Sequence, residues 1–106
     1  MSARVLITAG ASGIGRAMAE AFDAAGYDIW VTDVDADALA AAPGHWHTRT
    51  CDVVDESAMA AVFAEAGPLD VLCANAGIAG PTARVEEVDL AAWRTCVSVN
   101  VEGAFL

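Results

Sequence analysis

Ile7-Thr8-Ala9-Gly10-Ala11-Ser12-Gly13-Ile14-Gly15 is the stretch on which the reading of this chain turns. An apolar run, Val5-Leu6-Ile7, leads into it, and an Ala-rich amphipathic stretch from Arg16 to Ala25 leads out. The pattern is a strand, a small-residue turn and a helix start. Small residues let a backbone approach a ligand closely, and the helix N-terminus behind them offers free N–H groups and a positive dipole end to a pyrophosphate. Glycine spacing alone is a weak signal, but here the strand and helix that the motif requires flank it. The spacing is not G-x-G-x-x-G, and a P-loop would need a lysine, which the sequence lacks.

Strand–helix units repeat outward from this turn. Val5–Thr8 reads as a strand apolar on both faces. Ala17, Met18, Ala21, Phe22 and Ala25 have helical spacing, and Gly26 stops that helix. Arg16 and Glu20, four apart, read as a solvated pair. Asp28–Thr32 is a second strand ending at Asp33, which lies 18 residues after Gly15. That is close to the spacing at which a dinucleotide-binding unit places a carboxylate for the adenosine ribose. Such a carboxylate accepts bonds from the ribose hydroxyls and repels a 2′-phosphate. The alternative is that Asp33 caps the next helix. Asp33, Asp35 and Asp37 also have the opening spacing of a calcium loop, but Ala38 and Gly44 stand where it needs Gly and Glu.

Asp35–Ala42 is predicted as a short helix stopped by Pro43-Gly44, and His45–Thr50 as a third strand leading to Cys51-Asp52-Val53. Alternation puts His45 and His47 on one strand face, and no third ligand accompanies them, so no metal is assigned. Asp55–Ala66 reads as a helix capped by Asp55, with Met59, Val62 and Phe63 on its apolar face. Leu69–Ala74 is a fourth strand delivering Asn75-Ala76-Gly77. Ile78–Val88 is a loop, and Asp89 caps a last helix running from Leu90 to the terminus, with Trp93, Cys96, Val97, Asn100, Val101 and Ala104 at helical spacing. The alternation implies an α/β fold, a Rossmann-like doubly wound parallel sheet of strand order 3-2-1-4 with its site at the carboxyl ends.

Composition narrows the function classes. The 106 residues are 57 % hydrophobic and 19 % charged, as in one small globular domain. Net charge is −10 and every basic residue is arginine, so no basic surface exists for nucleic acid. No run reaches transmembrane length and no leader pattern opens the chain, which points to the cytoplasm and no membrane partner. Cys51, Cys73 and Cys96, odd in number and within apolar stretches, read as buried free thiols of a reducing compartment.

Together these motifs resemble the short-chain dehydrogenases/reductases. The turn is similar to that family's Thr-Gly-x-x-x-Gly-Ile-Gly: Thr8, Gly13, Ile14 and Gly15 match, and the first glycine falls on Ala9, followed by Gly10. Asp52-Val53 resembles the Asp-Val or Asp-Leu pair after the third strand. Asn75-Ala76-Gly77 resembles the end of Asn-Asn-Ala-Gly, with Ala74 replacing the first Asn. Val99-Asn100-Val101-Glu102-Gly103 resembles Val-Asn-Leu-x-Gly, and Trp93 falls where that helix often carries Trp. The resemblance implies hydride transfer between NAD(H) and a small alcohol or carbonyl substrate. It implies cofactor binding by Ala9, Gly10, Ser12, Gly13, Ile14, Gly15, Asp33, Asp52, Val53, Asn75, Ala76 and Gly77. Asp52 would meet the adenine amino group. Asn100 would be a catalytic residue that distorts its helix and holds a relay water; a core Asn bonded to nearby backbone is the compatible plainer role. Ser12 and Val34, where phosphate-reading relatives carry basic residues, favour NAD.

The resemblance spans the chain but half or less of the family's usual length. The family's Ser and Tyr-x-x-x-Lys are unmatched, since the chain has no lysine and its one tyrosine, Tyr27, precedes the second strand. Hydride transfer to a carbonyl then lacks a proton partner. The expectations are a sheet incomplete on the strand 4 side, little activity in the chain alone, and completion by a C-terminal-half polypeptide or association with a second copy. A non-catalytic nucleotide-binding or oligomerising fragment is the alternative.

Overall fold

The computed structural model describes residues 2–106. Strands β1 (Arg4–Thr8), β2 (Asp28–Asp33), β3 (His47–Thr50) and β4 (Val71–Cys73) form one parallel sheet in the order β3-β2-β1-β4. Central β1 pairs on both sides, Val5 lying opposite Ile29 and Val71, and Val5, Leu6 and Ile7 are fully buried. Helices α1 (Gly13–Ala24) and α2 (Ala36–Ala40) supply Ala19 and Leu39 to one face, against Val5, Ile7, Ile29 and Val31. On the other face α3 (Glu56–Ala66) sets Met59, Val62 and Ala66 against Leu6 and Trp30. Strands buried on both faces give the near-continuous apolar runs of the sequence. The doubly wound parallel fold and its order are therefore as expected. Among the described residues β4 pairs with β1 alone, and Leu72 is half-exposed on this open side.

Local chemistry sets the element ends. Asp35, Asp55 and Asp89 cap α2, α3 and α4 (Leu90–Val97) by accepting from the amides of Ala38, Ala58 and Ala91. Gly26 stops the chain after α1 at φ +88°. A 3-10 turn, Val85–Glu87, breaks the predicted 78–88 loop.

Several expectations are corrected. β3 begins at His47, because Trp46 N bonds Pro43 O in a turn and its indole donates to Asp23 (2.9 Å). The two histidines therefore do not share a strand face. His45 bonds Asp23, while His47 bonds Asp28 (3.1 Å) and stacks on Trp30. β4 ends at Cys73, since the next amides turn to Thr8 instead of a neighbouring strand. The last helix is not regular: α4 passes into a π turn, Ser98–Glu102, and then α5 (Gly103–Phe105). The wider turn shifts the helical phase. Trp93 and Val101, assigned to the apolar face, stay exposed, and Val99 packs against the α3-side core instead. Of the cysteines only Cys51 is fully buried; all three are free thiols.

Arg4 ties the amino ends of the strands together. Its Nε donates to Asp28 (2.8 Å), its Nη1 to Ala66 O, and its backbone N–H to Asp70. The predicted Arg16–Glu20 pair forms at 2.8 Å, and Arg16 also lies over the Trp46 ring. The Trp46 and His45 hydrogen bonds hold the Asp23 carboxyl below its usual value. Burial pushes Asp28 up, but the Arg4 hydrogen bond and His47 outweigh it and hold its carboxyl low.

Candidate dinucleotide site

The carboxyl ends of the four strands converge where the chain switches from β1 outward to β4, the crevice position of open α/β sheets. The turn after β1 is built by close contact. Gly10 N bonds Thr32 O (3.2 Å), and a Cβ on Gly10 would lie 2.8 Å from Val31 Cγ1. A Cβ on Gly15 would run into the Ala9 carbonyl and lie 2.7 Å from Asn75 Nδ2. Gly13 has φ +59°, and so, less comfortably, does Ala9 at +53°. Ala9 thus holds a left-handed backbone that glycine would adopt without strain.

Ser12 occupies the N-cap of α1, and its side chain makes no capping bond. The first bond of the helix is Arg16 N to Ser12 O (3.2 Å), which leaves the N–H groups of Gly13, Ile14 and Gly15 ahead of the ladder. Ile14 projects into solvent at 76 % exposure. Free N–H groups at a helix start are the arrangement that can hold an anion, and they lie beside a turn where Gly10 and Gly15 leave no room for a Cβ.

Asp33 follows directly. One carboxylate oxygen accepts from Ala11 N (3.1 Å) and the other from Asp35 N (3.0 Å). The capping role belongs to Asp35, so the capping alternative for Asp33 fails. Each Asp33 oxygen keeps further acceptor capacity. A cavity of about 290 Å³ opens here, lined by Ala9, Asp33, Asp52, Val53, Ala76 and Gly77 among the predicted residues. Asp52 accepts from Val54 N (3.1 Å), while the Val53 side chain is buried against the α3 side. Gly10, Ser12, Gly13, Ile14, Gly15, Asn75 and Asn100 lie outside this lining.

The opposite wall is held by the side chains of Thr8, Asn75 and Asn100. Thr8 Oγ1, on a residue only 5 % exposed, accepts from Asn75 N (2.9 Å) and Ala76 N (3.0 Å). Asn75 Nδ2 donates to Thr8 O (3.2 Å) and Ala9 O (3.4 Å). Asn100 sits within the π turn. Its Oδ1 accepts from Ile78 N (2.7 Å), and its Nδ2 donates to Ile78 O (3.0 Å) and Cys96 Sγ (3.2 Å). Sequence reasoning missed Cys51, Ile78, Thr95 and Val99 as lining residues and Thr8 as a tether. Thr95 and Val99 are four apart on one helix, a signal visible in the sequence but masked by the apolar stripe chosen for that helix. Tyr27 lies at the other end of the sheet, edge-on to Phe22 and beside Arg4 and Asp28.

Among the described residues no group of three or more His, Cys, Asp or Glu is placed to hold a metal ion, and no helix is long and apolar enough to cross a membrane.

Residues 3–106 match the short chain dehydrogenase family. The chain is 43 % identical over 113 residues to the cis-4-hydroxycyclohexanecarboxylate dehydrogenase of Sinomonas cyclohexanicum, covering 95 % of this chain and 45 % of that protein. It is 40 % identical over 105 residues to the 2-keto-3-deoxy-L-fuconate dehydrogenase of Xanthomonas campestris, covering 96 % and 35 %. The structure superposes on levodione reductase with a TM-score of 0.87 at 34 % identity, covering 97 % of this chain and 45 % of that one. It also superposes on a 3-ketoacyl-(acyl-carrier-protein) reductase from Brucella melitensis complexed with NADH, with a TM-score of 0.86 at 28 % identity, covering 98 % and 46 %. The chain thus spans less than half the length of these relatives. By its fold, by the geometry of its glycine turn and by these likenesses, the chain belongs to the short chain dehydrogenase family.

Proposed function

We propose that this chain is the NAD-binding, Rossmann-like domain portion of an oxidoreductase that moves hydride between NAD(H) and a small alcohol or carbonyl substrate. The observation that carries the reading is Asp33. Its carboxylate stands at the cavity rim, oriented by Ala11 N, and is followed by exposed Val34 instead of a cation. A carboxylate so placed accepts ribose hydroxyls and repels a 2′-phosphate. The N–H groups at the start of α1 would take the pyrophosphate, with the Ser12 hydroxyl beside them. Asp52 would accept from the adenine amine, and Val53 would flank the ring. Gly10 and Gly15 keep the cradle open.

Bound there, the nicotinamide supplies hydride-transfer chemistry. This chain's own residues bind and orient. Ala76 and Gly77 offer backbone to the cofactor's second ribose, and Asn100 fixes the Ile78 segment beside it. In the full reaction Asn100 would also hold a relay water. Proton transfer to the substrate falls to groups outside this sequence, because Tyr27 is at the far end of the sheet and there is no lysine. The chain alone is therefore expected to bind NAD without appreciable turnover. The open side of β4 and exposed Leu90, Trp93 and Phe105 fit association with a C-terminal-half polypeptide or a second copy. Three free thiols fit a cytoplasmic setting.

Calorimetric titration with NADH and NADPH tests the reading. NADH should bind, with NADPH weaker by about tenfold or more through like-charge repulsion at Asp33. Asp33→Asn should narrow that gap. NADPH binding as tightly as NADH would refute the assignment.

A further inference from the structure

The cavity does not end at Asp52. A second cleft of about 390 Å³ continues from it, sharing Asp52, Thr95 and Val99 and adding Arg94 and Ser98. Asp33 and Val34 do not line it, so it leaves the first cavity at the end away from the proposed ribose contact. Arg94 is the notable group. Arg4, Arg16 and Arg49 each hold a carboxylate at 2.7–2.8 Å, whereas Arg84 and Arg94 have no carboxylate at ion-pair distance among the described residues, and of these two Arg94 lines this cleft. The exposed Arg94 guanidinium thus brings an uncompensated positive charge to the cleft in a chain of net charge −10. Across the cleft, one Asp52 oxygen is engaged by Val54 N, leaving acceptor capacity for an N–H.

We infer that this cleft is a subsite for an acidic substituent carried on the adenine amino group, with Arg94 as its anion partner. The inference rests on the adenine reading of the first cavity. A secondary amine bearing a short carboxylate presents an N–H followed by an anion. Asp52 and Arg94, which line the same cleft, supply an acceptor for the one and a cation for the other. Such an N–H can be accepted by Asp52 while the carboxylate reaches the guanidinium, the planar donor fork suited to it. A cationic substituent of the same length would meet Arg94 with like charge and is disfavoured.

The test is calorimetric titration of the protein with NAD, N6-carboxymethyl-NAD and N6-(2-aminoethyl)-NAD, on wild type, Arg94→Met and Arg94→Lys. Wild type should prefer the carboxymethyl analogue over the aminoethyl one by roughly fivefold, as for an exposed ion pair, with the preference shrinking at high salt. Arg94→Met, which keeps the aliphatic stem, should abolish the preference and leave NAD affinity unchanged, while Arg94→Lys should retain part of it. If NAD binds but the two analogues bind equally, or the preference survives in Arg94→Met, the subsite is refuted while the adenine reading stands. If NAD itself does not bind, the adenine reading fails and takes the subsite with it.

Discussion

Replacing Thr8 by valine keeps the shape and β-propensity of the side chain and removes one oxygen. That oxygen accepts from Asn75 N at 2.9 Å and Ala76 N at 3.0 Å, and its residue is 5 % exposed. Both amides lose their acceptor where the valine methyl keeps water out. A polar group left unpaired costs about 1–3 kcal/mol when buried. The two amides are half-buried, so the lower part of that range applies to each, and Thr8→Val should cost roughly 2–3 kcal/mol in all. That is a large fraction of the roughly 5–15 kcal/mol by which domains are stable. In urea denaturation the midpoint should fall by about 1 M or more with an unchanged slope. Thr8→Ser keeps the oxygen and loses a methyl group, so it should cost about 1 kcal/mol. Nucleotide affinity should fall with Thr8→Val more than with Thr8→Ser, because the wall carrying Ala76 and Gly77 loses its anchor. A Thr8→Val midpoint no lower than that of Thr8→Ser would refute the tether.

Ala9→Gly should stabilise the fold. A left-handed conformation costs an L-residue about 1–2 kcal/mol, and the extra freedom of glycine in the unfolded chain returns about 0.4–1, so a gain near ~0.5–1 kcal/mol and a Tm higher by about 2–6 °C are expected by calorimetry. A lower Tm would show that the Ala9 methyl packs favourably. Asp23 and Asp28 have carboxyls held low in the folded state, Asp23 by the Trp46 and His45 hydrogen bonds and Asp28 by Arg4 and His47 against the effect of burial. Their contribution is present above an unfolded-state pKa of about 3.9 and is lost as pH falls through the folded values. Stability measured in urea should therefore drop on acidification below about pH 4, and less steeply in Asp23→Asn and Asp28→Asn; an unchanged acid limb would refute these assignments.

The parts legible in the sequence are those where local rules and tertiary demands agree. Val5-Leu6-Ile7 is apolar because both sheet faces bury it, and Asp35, Asp55 and Asp89 precede helices whose amides they accept. Reading failed where a distant partner decides. His45-Trp46-His47 alternates like a strand, yet Trp46 is claimed by Asp23 on α1, and the turn to Pro43 follows. The π turn at Ser98–Glu102 offsets the helical period, so Val101, counted onto the apolar stripe, faces solvent while Val99 packs inward. Asn100 was legible as a motif, but its hold on Ile78 spans 22 residues and depends on the loop's return.

These tethers also explain why several motif residues stand beside the cavity without lining it. Gly15 must be glycine because Asn75 Nδ2 and the Ala9 carbonyl occupy the space of a Cβ. Asn75 is held there by Thr8 and Ala9, so the turn after β1 and the turn after β4 share one hydrogen-bonded seam. On the far side, Gly103 brings the helix after the π turn against Val53, where a Cβ would lie 2.6 Å from Val53 Cγ2. Val53 is itself a lining residue. The cavity is thus bounded by strand ends fixed in the core and by two segments drawn in at Thr8, Asn100 and Gly103. The spacing between these walls is set by three small or polar residues, and on the NAD-binding reading a change at Thr8 or Gly103, neither of which lines the cavity, should act on nucleotide affinity through geometry.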